Sequence, residues 1–329
     1  MNEDWFPVTY STLDSSALAN RLLPQYGIWE VASCQFWNRG LSDVYVVETS
    51  THRYILRVSH HHWRSQGDIE FELELLDFLQ QHHLPIASPL RTTDGQLFIT
   101  IAAPEGKRYA ALFMYAPGEV ALGDLNPGQS WLMGETLAKI HQTALNFSTC
   151  ADRQPLDSDY LLGRSLRTIA PLLKHRPKDL DYLKEAIANI EMHLADFPKK
   201  PPFWSICWGD PHSGNAHFTP DGQIALFDFD QCGYGWRAFD LGKFLQVALR
   251  GGVPKTAREA FFSGYQSVQV LTEWEWNALQ LFTQMAHIWV WAISIDTAVV
   301  HNWCRLDEHY FTQRLEQLKR LTSRDWQLF

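Results

Sequence analysis

Three residues in one short stretch can do chemistry together: Asp210, Asn215 and Asp228, within WGDPHSGNAHFTPDGQIALFDFD over residues 208–230. Asn215 follows Asp210 by five positions and Asp228 follows Asn215 by thirteen. The interval reads as a hairpin, with a short strand over 215–218, the turn Thr219-Pro220-Asp221-Gly222, and a buried-type strand over 223–227. Such a hairpin returns Asp228 to the neighbourhood of Asn215, so that a loop carboxylate, an amide and a second carboxylate face one small volume. Phosphoryl transfer needs that donor set. The first Asp accepts a hydroxyl proton and aims the nucleophile, while Asn and the second Asp offer oxygen ligands to a Mg²⁺ that bridges nucleotide phosphates. The competing reading is that Asp-Pro and Asp-Gly are turn residues flanking ordinary hairpin strands.

The spacing D-x₄-N followed by D-F is also that of the protein-kinase catalytic loop and metal motif. The longer pattern WGDPHSGNAHF…ALFDFDQCGYGWRAFDL resembles the aminoglycoside phosphotransferase and choline kinase family, whose motif runs H-G-D-x-H-x-x-N, a short hairpin, D-[FW]-[DE], then D-L. Within it, the chain is most similar to the subgroup of homoserine-kinase-like and bacterial stress-response kinases. The resemblance is strongest over residues 206–245, and it departs at Trp208, which stands where the family usually has His. It implies Asp210 as the catalytic residue, Asn215 and Asp228 as metal ligands, and ATP with Mg²⁺ as cofactors. It also implies that Asp240 steadies the catalytic loop, and that His141, in G-E-T-L-A-K-I-H, belongs to a helix packed behind that loop.

The elements that must position these groups begin with a helix over 10–26, followed by strands over 30–36, 44–49 and 53–58. Between the first two strands, Gly40 and Ser42 occupy a loop at 38–43 whose backbone N–H groups can cover nucleotide phosphates; an ordinary hairpin loop is the alternative. Relatives often read G-x-x-N there, and Asp43 takes the place of that Asn. Arg57 sits at the strand position where kinases place a phosphate-contacting Lys. A helix over 67–81 carries Glu72, which matches the family's E-x-x-L-L-x-x-L and is the expected partner of Arg57 ahead of Glu70 and Glu74. Three further strands are expected over 88–92, 96–101 and 109–115, then a break at Ala116-Pro117-Gly118-Glu119. In the kinase architecture, adenine pairs with backbone groups just before such a break, which points to Phe113, Met114 and Tyr115.

After the break the period changes to a helical one, with segments over 126–143, 160–173 and 180–194, then 255–268, 274–302 and 309–321. The segment 231–235, QCGYG, reads as a flexible loop near the reaction volume. His287, Trp291 and Asp296 fall on the helix that is the candidate to line an acceptor pocket, and residues 285–303 look like the stress-response kinases. The histidines at 60–62 and 82–83 lack accompanying Cys or acidic ligands at metal spacing and are read as loop and helix-end residues.

Composition narrows the class. The 329 residues are 46% hydrophobic and 20% charged, as expected for a globular protein, and the net charge of −9 without a basic run speaks against nucleic acid. Five scattered cysteines form no disulfide or zinc pattern. The amino-terminal MNEDWFPVTYS lacks the marks of a signal peptide, and no run of eighteen apolar residues occurs, so a cytoplasmic protein without membrane partners is expected. The fold expected is α+β and two-lobed, protein-kinase-like, with a small antiparallel-sheet lobe over 1–115, a hinge over 116–119 and a larger, mostly helical lobe over 120–329. The function expected is transfer of the ATP γ-phosphoryl group to an acceptor hydroxyl, on a small molecule first. A stress-response Ser/Thr protein kinase and a nucleotide-binding pseudokinase are the alternatives.

Overall fold

The computed structural model describes residues 6–121, 125–301 and 305–328. The first five residues of the amino-terminal segment lie outside them, as do Asn302 at the expected end of the long helix, Trp303 and Cys304. The described chain divides into two compact units: residues 1–116 with 149–152, and residues 117–148 with 153–329.

The first unit is a five-stranded, wholly antiparallel sheet with helices α1 (Ser15–Arg21) and α2 (Gln66–Gln81). Its strands are β1 (Ser33–Arg39), β2 (Ser42–Glu48), β3 (Arg53–Ser59), β4 (Ile99–Ala103) and β5 (Gly106–Met114), in the order β1-β2-β3-β5-β4. Asp14 caps α1 by accepting from Ala17 N–H at 2.7 Å. The expected single helix to residue 26 breaks at Pro24, which opens a 3₁₀ turn instead. A capping box starts α2, with Ser65 and Asp68 each accepting the other's backbone N–H. The core beneath the sheet joins Leu18, Leu22 and Leu23 to Tyr45, Val47, Leu56, Val58 and Leu112. The strand expected over 88–92 does not form. Pro89 has no N–H to give to a ladder, so the segment makes one bridge to Phe113, flanked by the bonds Leu90 N–H to Leu112 O (2.7 Å) and Met114 N–H to Ser88 O (3.0 Å).

The second unit is mostly helical. It opens with the short strand β6 (Glu119–Val120) and helix α3 (Pro127–Thr143), capped by Asn126 and Gln129. The expected helix over 160–173 is three pieces: a π-helical turn Asp159–Gly163, α4 (Arg164–Ile169) and a 3₁₀ turn containing Pro171. Next come α5 (Pro177–Leu194), β7 (Trp204–Cys207), β8 (Ala216–Phe218), β9 (Ile224–Leu226) and β10 (Gly233–Trp236). Four helices complete the unit: α6 (Arg237–Gly251), α7 (Lys255–Gln266), α8 (Glu273–His301) and α9 (Glu308–Thr322). The segment expected as a flexible loop at 231–235 is a correction: Gly233–Trp236 pairs antiparallel with β7, and Cys232 is fully buried. By length and composition α8 can cross a membrane over Glu273–Ala298, yet 78% of its most apolar stretch is buried inside the fold, as in a core helix.

Candidate active site

The loop after β7 is fixed from behind by a buried network. Asp240, near the start of α6, accepts from Trp208 N–H (2.7 Å) and from Gly209 N–H (2.9 Å). His141 Nε2 meets the same carboxylate at 2.9 Å, and Tyr265 hydroxyl meets His141 Nδ1 at 2.8 Å. Burial raises Tyr265 far above the ordinary phenol range, so its hydroxyl keeps the proton it can donate to Nδ1. Gly209 sits at φ +88°, and a Cβ there would run into the Gln231 carbonyl. His141, Cys207 and Asp240 place ligand-type atoms within 4.8 Å of one another. They are nonetheless a support network, because Cys207 donates to Trp236 O (3.2 Å) and burial, then Asp240, hold it as a neutral thiol.

From that anchored backbone the loop presents Asp210. Asn215 Nδ2 donates to the Asp210 carbonyl at 3.1 Å, and Phe227 N–H donates to the Asn215 carbonyl at 3.0 Å. The β8–β9 hairpin, closed by Thr219 N–H to Gln223 O, thus brings the backbone of residues 210, 215 and 227 together. The adjacent Asp228 has φ +58°, a left-handed conformation that costs a non-glycine residue roughly 1 kcal/mol or more. Its carbonyl accepts the Trp208 indole Nε1–H at 3.0 Å, and the Trp208 ring stacks on Phe229 with centroids 5.4 Å apart. Trp208 therefore supplies a ring N–H donor at the position where the family pattern has His. Arg153 holds the next carbonyl but one, at Asp230, at 2.5 Å.

Two further groups touch the Asp210 carboxylate. Lys243 Nζ lies 2.5 Å from Oδ1 and His212 Nε2 lies 3.5 Å from Oδ2. Burial pushes the Asp210 pKa up, but the Lys243 ammonium and then His212 outweigh it, leaving the carboxyl well below its usual range. Lys243 is absent from the sequence reading, although it follows Asp240 by three residues on a helix and so shares its face. Close packing sets its height: a Cβ on the preceding Gly242 would press into the Phe282 and Thr283 backbone of α8. The Asn215 amide nitrogen donates to the Asp210 carbonyl, and the Asn215 amide oxygen and the Asp228 carboxylate are oxygen donors of the kind a hard divalent cation takes.

The first unit collects the other expected residues. Arg57, on β3, and Glu72, on α2, form a two-pronged pair at 2.7 and 2.5 Å, with Glu72 1% exposed, and the guanidinium lies 4.9 Å from the Phe113 ring centre. Glu70 and Glu74 are engaged elsewhere, by Gln66 and Thr149. The N–H groups of Met114 and Tyr115 are committed to Ser88 O and Arg53 O, so neither N–H is left to pair with a ligand. The loop expected over 38–43 contracts to a turn at Gly40-Leu41, because the strands run on to Arg39 and Ser42. Ser42 is buried, and Asp43 faces inward, paired with Arg108 (2.8 Å) and Arg39 (3.1 Å) and close to His60. Burial would raise the Asp43 pKa; His60, Arg108, Tyr10 and Arg39 together depress it strongly. On α8, His287 and Trp291 are core residues, and Asp296 pairs with Arg164 at 3.0 Å.

Comparison with known proteins gives the family and the fold. An uncharacterized protein of Synechocystis sp. is 53% identical over 326 residues, spanning 99% of this chain and 90% of its own. The homoserine kinase of Caulobacter sp. (strain K31) is 28% identical over 253 residues, 74% of this chain and 73% of its own. Amicoumacin kinase hAmiN, solved in complex with AMP-PNP, Ca²⁺ and Ami, shares the fold with a TM-score of 0.74 at 20% identity over 88% of each chain. A model of the "Phosphotransferase enzyme family" matches residues 33–282, which hold both the Arg57–Glu72 pair and the Asp210 loop; the chain belongs to that family.

Proposed function

We propose that the protein transfers the γ-phosphoryl group of ATP to the hydroxyl of a small molecule, with Mg²⁺ held by Asn215 and Asp228. The observation that carries this reading is the direct linkage of Asp210, Asn215 and the backbone beside Asp228 through the bonds Asn215 Nδ2 to Asp210 O and Phe227 N–H to Asn215 O. In the transfer, a bond forms between the acceptor oxygen and the γ-phosphorus, the bond from that phosphorus to the bridging oxygen breaks, and ADP leaves. The hydroxyl proton passes to an Asp210 carboxylate oxygen. Because Asp210 is held below the usual carboxylate range, it is a weak base and serves first to orient the hydroxyl, which suits a loose transition state with little need for early deprotonation. When bound, the cation offsets charge on the phosphate oxygens. Arg57, fixed in direction by Glu72, would offer a permanent positive charge to the phosphates, and the backbone at Met114 and Tyr115, at the end of β5, would meet the adenine.

The homoserine and amicoumacin kinases favour a small-molecule acceptor over a protein one. The indole N–H bond of Trp208 to Asp228 speaks against the pseudokinase alternative, since it braces the very loop that a non-catalytic chain has no need to brace. The metal role is tested by thermal melting with AMP-PNP and Mg²⁺. A hundredfold excess over Kd should raise Tm by on the order of 5 °C in the wild type. Asp228→Ala should lose the Mg²⁺-dependent part of that shift; an unchanged shift would refute the assignment.

A further inference from the structure

We propose that Lys243 is a second catalytic residue, whose ammonium donates to an oxygen of the γ-phosphoryl group as that group passes to the acceptor. This rests on the reading that Asp210 receives the acceptor hydroxyl, and it deepens that reading by naming a group that meets the phosphate in transfer.

The argument begins with where the ammonium is held. Lys243 is 3% exposed, on a stretch of α6 whose neighbours Phe239, Leu241, Phe244 and Leu245 are all buried. Carrying a cation into such surroundings is costly unless its donors are answered. Asp240 is the nearest carboxylate on the same helix face, one turn back. It is already taken by the N–H groups of Trp208 and Gly209 and by His141. Lys243 Nζ instead crosses to the loop and meets Asp210 Oδ1 at 2.5 Å. An ammonium has three N–H donors. This bond uses one, and Nζ has no other hydrogen-bond partner among the described residues.

The Asp210 end of the pair is the open one, with its side chain 19% exposed. Beside its other oxygen, His212 accepts the Gly214 N–H at Nδ1 (3.0 Å), so the neutral imidazole carries its proton on Nε2, toward Asp210. That leaves Asp210 as the group that takes the acceptor's proton. A buried cation with unspent donors, placed against the residue that receives the acceptor, is matched to an anion that arrives with the substrates.

The transfer supplies that anion. The acceptor oxygen bonds to the γ-phosphorus, the bond from that phosphorus to the bridging oxygen breaks, and its electron pair leaves with ADP. The hydroxyl proton goes to Asp210, while Lys243 keeps its own. Protonated Asp210 no longer balances the ammonium, so the pair passes from neutral to singly positive as the phosphoryl group arrives. The Asp210 carboxylate bridges Nζ and the acceptor oxygen, which keeps them within about two hydrogen-bond lengths of each other. An equatorial phosphoryl oxygen is then in reach of the unspent N–H groups. Charge in a loose transition state rests on those oxygens, and a fixed, desolvated ammonium meets it with little reorganisation.

The test is thermal melting with ADP, Mg²⁺ and fluoroaluminate, which imitates the phosphoryl group in transfer. Four proteins are compared: wild type, Asp210→Asn, Lys243→Met and the double variant. ADP with Mg²⁺ alone should raise the Tm of all four alike, which verifies the fold and the nucleotide site. Fluoroaluminate should raise the wild-type Tm further. Lys243→Met should weaken fluoroaluminate binding about tenfold or more, both with Asp210 present and in the Asp210→Asn background. A lysine that serves only to hold Asp210 produces no loss in that background, and such a result would overturn the proposal. Equal affinities in wild type and Lys243→Met, or no added shift in the wild type, would overturn it too. If Lys243→Met does not fold, Lys243→Gln gives the same comparison. Absence of any shift with ADP and Mg²⁺ in the wild type counts against the phosphotransferase reading itself, and the proposal falls with it. A normal ADP shift with fluoroaluminate binding indifferent to Lys243 overturns this inference alone.

Discussion

Asp210 shows how one residue's environment sets its task. Burial favours its neutral form, while the Lys243 ammonium at 2.5 Å favours the ionised one and prevails with help from His212. Its folded pKa is therefore below the unfolded value of about 3.9. A carboxylate of that kind keeps its charge, and its contribution to stability, above the unfolded pKa and loses both only as the pH falls through the lower folded value. Replacing Lys243 by Met leaves burial without its counterweight, so protonation of Asp210 should begin at a higher pH. The acid limb of the kcat profile should move up by about one pH unit or more, and superimposable profiles would show that Lys243 does not set the charge of Asp210. Trp208 gives a second lesson at this scale. A different ring delivers its N–H to the Asp228 carbonyl, so a departure from the family motif retains a donor.

Among the elements, the β7–β10 pair and the β8–β9 hairpin give the site its rigidity, and they were not equally legible. The hairpin is written locally, in Thr-Pro-Asp-Gly between two short apolar runs, and the sequence reading places it within a residue or two. The Ser65–Asp68 box and the pairing of Arg57 with Glu72 rather than Glu70 or Glu74 are likewise functions of helix register. The pairing of Gly233–Trp236 with Trp204–Cys207 is not local. Two glycines in five residues carry loop chemistry, and only a partner strand nearly thirty positions earlier makes them a strand. Lys243 was missed for the same reason, since its role depends on where α6 packs against α8. Pro89 was the opposite case, a local signal that should have demoted the strand at 88–92. The sharpest test at this scale is Gly209→Ala. A positive φ and a Cβ driven into the Gln231 carbonyl should lower stability by about 2–4 kcal/mol and remove activity. A variant with wild-type Tm and kcat would mean that the loop is free to relax.

The whole molecule carries a net charge of −9, which by itself suggests a taste for cations, yet the two side chains that meet the Asp210 carboxylate, Lys243 and His212, are basic residues. Net charge describes the surface at large and says little about a pocket. Each unit has its own core and its own share of charged groups: the first holds the Arg57–Glu72 pair, the second the Asp210 loop. The central claim is that these groups serve acceptor-dependent phosphoryl transfer. Its most direct test is ADP release from ATP and Mg²⁺ by the wild type and by Asp210→Asn, with and without a panel of hydroxyl acceptors that includes homoserine, sugars and hydroxy acids. The account predicts ADP formation that requires an acceptor and falls by at least about 100-fold in the variant. Acceptor-dependent turnover at an equal rate in Asp210→Asn would contradict it.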